Sequence, residues 1–137
     1  MIARTMLDAT VLTVLLAAQP GAAADYDGEK PFLCAPTDIV SCGPDGKCDR
    51  ETPESINLPK FLKFDVAQNQ ISGTRPNGDM LKTAIDKVDR AEDRMILQGI
   101  EGAVMWSVMV SQNSGDMTIT AGSEKVGYVA FGACTPD

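Results

Sequence analysis

Histidine is absent from the 137 residues, tryptophan occurs once, and aromatic side chains make up only 5% of the chain. Without imidazole there is no Ser-His or Cys-His catalytic dyad, no His-ligated zinc and no His-based pH switch. Basic side chains are scarce as well: 12 Lys and Arg stand against 19 Asp and Glu, a formal charge of −7. A surplus of carboxylates repels phosphate backbones and anionic headgroups, so nucleic acid and lipid surfaces are not expected partners. No apolar run approaches the about 20 residues that a membrane-spanning helix needs. Serine occurs in no G-x-S-x-G context, and no glycine-rich phosphate loop precedes a helical pattern. Neither a cofactor nor a metal is expected from these residues.

The N-terminal residues 1–24 have the layout of an export signal. Arg4 gives a positive start, Val11 to Ala18 is a short apolar run, and Pro20-Gly21 breaks it. Ala22-Ala23-Ala24 then offers the small-x-small pattern that signal peptidase reads, just before Asp25. Pro31-Phe32-Leu33 lacks the small residues that precede a lipidated cysteine, so Cys34 is not expected to carry an anchor. The expected product is one domain, residues 25–137, periplasmic or secreted and without stable membrane insertion after cleavage.

Four cysteines in a small exported chain read as two disulfides rather than a metal site. Phe32 to Ser41 has a strand pattern, which would place Cys34 and Cys42 roughly 26 Å apart at about 3.3 Å per residue. That separation is far beyond the reach of a disulfide. Cys42 and Cys48 bracket the turn-rich Gly43-Pro44-Asp45-Gly46-Lys47, leaving Cys34 for Cys134 near the C-terminus. The favoured pairing is therefore 34–134 with 42–48, and 34–48 with 42–134 is the alternative. A redox role for Cys42 and Cys48 lacks a C-x-x-C at a helix start. Asp45 to Glu51 (DGKCDRE) does not follow the order of a calcium loop and reads as a solvated acidic turn.

Downstream, period-2 alternation dominates. Asp25 to Lys30 is a polar leader expected to be loose, and Thr52 to Pro59, bounded by prolines, is an irregular connection. Leu62, Phe64 and Val66 share one face of a strand, a short strand surrounds Ile71, and Arg75-Pro76-Asn77-Gly78 is a turn. Leu81, Ala84, Ile85 and Val88 fit helical spacing, but the same stretch reads as a strand ending at the charged turn Asp89 to Asp93, and neighbouring hairpins favour strand. Met95 to Gly99 returns. Ala103 to Ser111 places Val104, Trp106, Val108 and Val110 on one face, with Met105, Ser107, Met109 and Ser111 on the other. Strands around Ile119 and from Val126 to Cys134 complete a meander. The expected fold is all-β, a small disulfide-tied antiparallel barrel or two-sheet sandwich of about seven or eight strands.

Several landmarks, Cys34-Ala35-Pro36, Thr52 to Pro59, Ser72 to Gly78, Leu97-Gln98-Gly99 and Phe131 to Pro136, together resemble a group of small exported cysteine-containing bacterial proteins of uncharacterised function. That resemblance implies no activity and no site residues. A looser similarity is to small periplasmic barrels that inhibit lysozymes, which carry Ser-Gly followed by a tyrosine. Here Ser72-Gly73 is followed by Thr74-Arg75-Pro76, so the inhibitory motif is not reproduced.

Function is expected to be binding rather than catalysis, with a protein or envelope component as partner. The alternatives are a carrier of a small apolar molecule, with Met105, Met109 and Trp106 as ligand-facing residues, and a carboxylate-dependent hydrolase.

Overall fold

Alternation of apolar and polar side chains lets most segments bury one face in a sheet. The computed structural model describes residues 25–137; the expected signal peptide, residues 1–24, lies outside the described residues. Among these residues there are ten strands and no helix. They are β1 (Phe32–Cys42), β2 (Cys48–Glu51), β3 (Leu62–Asp65), β4 (Gln70–Thr74) and β5 (Met80–Ala84), then β6 (Lys87–Ala91), β7 (Arg94–Glu101), β8 (Val104–Ser111), β9 (Asp116–Gly122) and β10 (Gly127–Pro136). Every pairing is antiparallel.

The strand order is β5-β4-β3-β1-β10-β9-β8-β7-β6, and β2 pairs with the far half of β1. The first and last long strands are thus neighbours at the centre, with a three-stranded arm on one side and a four-stranded arm on the other. The sheet curls into a half-barrel until β5 lies against β7. There the Asp86 N–H donates to the Gln98 carbonyl at 2.8 Å, joining the two arms through the Ile85-Asp86 link.

Register is fixed by burial. In β1, Phe32, Cys34 and Pro36 point inward, and a bulge between Pro36 and Asp38 shifts the phase so that Ile39 is the next inward residue. Cys34 lies directly opposite Cys134, and Cys42 opposite Cys48. The disulfides are Cys34–Cys134 and Cys42–Cys48, the first of the two pairings weighed from the spacing. Two disulfides fit an oxidising compartment. No helix among the described residues is long and apolar enough to cross a membrane.

Three expectations need correction. The strand count is ten rather than seven or eight, because β2 falls in the expected acidic turn and β6 takes in the expected charged turn that follows residues 81–88. Both are almost wholly exposed, so no inward face leaves an apolar signature. Residues 81–88 are neither a helix nor one strand: β5 stops at Ala84, Ile85 tucks into the core, and β6 begins at Lys87. Finally, the leader is ordered. Tyr26 is only 7% exposed, and its hydroxyl donates to the Cys134 carbonyl at 3.0 Å. The Arg90 guanidinium donates to the Asp27 carbonyl at 3.0 Å.

Tyr26 therefore plugs one end of the half-barrel. Its ring meets Phe32 edge-on at 5.7 Å, and Phe32 stacks on Phe64 at 5.3 Å. Val66, Ile85, Met95, Val110 and Met117 complete this packed end of the core. The other end of the barrel is built differently.

Candidate functional site

Beyond the Phe32–Phe64 stack the inward side chains no longer meet across the curl. Inward positions of β8 to β10 carry Val104, Trp106, Val108, Ile119, Ala121, Tyr128 and Ala130, and alanine leaves space where the core end has larger groups. The result is a cavity of about 360 Å³, predominantly apolar. Its size falls in the range of small-molecule sites. The opposite wall comes from Leu62, Phe64, Ile71, Leu81 and Thr83, and Ile56 and Leu58 reach over it from the connection between β2 and β3. Half-buried Arg75, Glu101 and Tyr128 supply the remaining polar lining.

Two residues of the lining each carry a polar atom that is chemically incomplete. Thr83 Oγ1 and Trp106 Nε1 are buried with no hydrogen-bond partner among the described residues. Thr83 as a whole is 7% exposed and is the single buried polar residue of that set. Leaving such groups unpaired costs about 1–3 kcal/mol each. Valine at position 83 would fit this apolar surrounding without that cost.

Gly99 positions the indole. It lies opposite Trp106 in the β7–β8 ladder, and a Cβ there would sit 2.3 Å from the ring and 2.6 Å from the Ala84 carbonyl. Only a residue without a side chain lets the indole lie across β7 towards β5.

The covering connection is held by charge and hydroxyls. Glu51 accepts from the Ser55 hydroxyl at 2.6 Å and the Ser41 hydroxyl at 2.8 Å, and Lys60 pairs with Glu54 at 2.6 Å. The Arg75 guanidinium donates to the Asn57 carbonyl at 2.9 Å, tying the β4–β5 turn to the cover. The Ser55 and Ser41 hydrogen bonds hold the Glu51 carboxyl below its ordinary value of 4.5, and the Lys60 hydrogen bond does the same for Glu54. A carboxyl lowered on folding stabilises the fold above its ordinary value, and that contribution is lost as pH falls through the lower folded value. Protection of the Ser55 and Leu58 amides against hydrogen exchange should therefore fall between about pH 6 and about pH 3, more than that of β8 amides. Glu51→Gln should lower it already at neutral pH. Equal protection of the cover at both pH values would contradict this.

The sequence-predicted site residues do not assemble as a group. Trp106 lines the cavity, but Met105 and Met109 are 70% and 40% exposed on the convex side. Strand alternation puts 105 and 109 on the face opposite 106, so the methionines do not line this cavity; Met105 meets Trp106 only in a shallow outer groove with Gln98, Gly99 and Ile100. The disulfide residues Cys34, Cys134, Cys42 and Cys48 brace the scaffold and are not part of the cavity lining. Thr83 was missed, although a strand reading places it on one face with Leu81 and Ile85, an isolated hydroxyl in an apolar row. Ile56 and Leu58 were missed because an irregular connection carries no periodicity. Among the described residues no cluster of three or more Cys, Asp or Glu could hold a metal.

No protein-family model matches this chain, and no curated protein matches it.

Proposed function

We propose that this protein is an exported binding protein that carries a small, largely apolar molecule in the open end of its half-barrel. The observation that supports this best is the predominantly apolar cavity of about 360 Å³ between the inward faces of β8 to β10 and those of β3 to β5. A rigid scaffold with one end packed and the other hollow can seat a ligand without reorganising, which limits the entropic cost of binding. In the same reading the half-barrel is an incomplete barrel whose open end serves as the entrance, and the disulfides suit a protein working outside the cytosol.

Docking of a protein or envelope component has weaker support. The convex face exposes Ile100, Met105, Met109 and Phe131, but the polar row Gln98, Ser107 and Thr120 runs between them. A carboxylate hydrolase would need an acid held above the usual range, whereas the displaced carboxyls, Glu51 and Glu54, are held below it.

The lone tryptophan makes the test direct. Trp106 emission should transfer to N-phenylnaphthylamine on saturable one-to-one binding. Ala121→Phe, which fills the space facing Trp106 in the β8–β9 ladder, should weaken binding by at least about tenfold while leaving the fold intact. Absence of saturable binding, or equal binding by the filled variant, would refute the carrier reading.

A further inference from the structure

We infer that the carried molecule is a single-tailed amphiphile with a zwitterionic head, its tail in the apolar depth of the cavity and its head at the mouth with Arg75 and Glu101; this inference rests on the carrier reading. Strand direction gathers the charged lining at one end. Met105, Gly122, Gly127 and Cys42 follow one another across β8, β9, β10 and β1, and Glu101 sits beside that row, opposite Val104. Tyr128 is the next residue of β10. On the other arm, β3 runs from Leu62 opposite Cys34 to Phe64 opposite Phe32, and β4 runs back, carrying Arg75 towards the same end as Cys42. Arg75, Glu101 and Tyr128 are all half-buried, so a molecule in the mouth can reach them. Towards the Phe32–Phe64 stack the lining is apolar, with Phe64, Ile71, Val108 and Ala130.

Charge at the mouth selects the head. The Arg75 guanidinium is held at the lining, because it donates to the carbonyl of Asn57, which lies between the lining residues Ile56 and Leu58. That bond uses one of its N–H groups and leaves the others for a ligand. Among the described residues no ion pair joins Arg75 to Glu101. Two opposite charges in one lining, not neutralised by each other, are matched by a head that carries both signs. An anionic group such as a phosphate ester can accept two hydrogen bonds from a guanidinium, and a cationic group beside it offsets Glu101. A purely anionic head would meet repulsion from Glu101 and from the formal charge of −7. A purely cationic head would meet repulsion from Arg75. The volume of about 360 Å³ stands at the lower end of the range for ligand sites, which suits one tail rather than two.

Three probes with the same tail separate these cases by displacing N-phenylnaphthylamine below their micelle concentrations: decylphosphocholine, decyl sulfate and decyltrimethylammonium. Contacts between half-exposed charges are modest, so decylphosphocholine should bind about fivefold more tightly than either of the others. Glu101→Lys should reverse the order, strengthening decyl sulfate about fivefold and weakening decyltrimethylammonium by a similar factor. Glu29→Lys makes the same change of net charge on the exposed leader at the packed end and should leave the order as it was. Equal affinity for the three probes, or the same response in the Glu101 and Glu29 variants, would overturn the inference while leaving a carrier. Failure of N-phenylnaphthylamine itself to bind would remove the carrier reading and this inference together.

Discussion

Replacing Cys34 and Cys134 together with alanine should lower the unfolding free energy by about 4–5 kcal/mol, against about 2 kcal/mol for the same change at Cys42 and Cys48. The two bonds close segments of very different length, with sequence separations of 100 and 6. Cross-linking a long segment removes more freedom from the unfolded chain than cross-linking a short one, on the chain-entropy model. Position in the fold acts in the same direction. Cys34 is buried at the β1–β10 junction, where both arms of the sheet are joined, whereas Cys42 and Cys48 tie a short exposed strand to the edge of β1. Urea unfolding of the two paired variants beside the unaltered protein measures the difference. A total stability in the usual range of about 5–15 kcal/mol makes the first loss a large fraction of the whole. Equal midpoints for the two variants would show that the long cross-link does not govern stability.

Phe32→Ala should cost about 3–5 kcal/mol, because it empties the centre of the packed end. Phe32 is fully buried, stacked on Phe64 and met edge-on by Tyr26, so its loss leaves a void that neither the sheet nor the plug can collapse to fill. The residue does not line the cavity. Where the variant remains folded, binding of N-phenylnaphthylamine should stay within about twofold of the unaltered protein, separating the stability of one end from the function of the other. Phe64 offers the useful contrast, since it belongs to both the stack and the cavity wall, so Phe64→Ala should disturb both readouts. A loss below about 1 kcal/mol for Phe32→Ala would mean that the aromatic stack is not the centre of the core.

The division of the molecule into a stiff end and a hollow end follows from side-chain size at inward positions. At the packed end these are Phe32, Phe64, Met95 and Met117, with Tyr26 closing the gap. At the other end Ala121 and Ala130 occupy equivalent inward sites. Strand periodicity shows which residues point inward, but not which of them meet across the curl. Cavity position therefore stayed hidden even where the inward face of β8 was correctly read as Val104, Trp106, Val108 and Val110.

Local chemistry accounts for what was legible in the chain. Period-2 alternation in β3, β8, β9 and β10 specifies strands and faces because each strand needs one buried side, and the reach of a disulfide removes one cysteine pairing. Edge strands such as β2 and β6 bury almost nothing, so their residues carried no such mark. The remainder is a matter of long-range closure. Whether β5 meets β7, how Gly99 admits the indole of Trp106, and why Thr83 is left without a partner depend on the angle through which the sheet coils. That angle is set by twist and packing summed over all strands, a property no local pattern of residues contains.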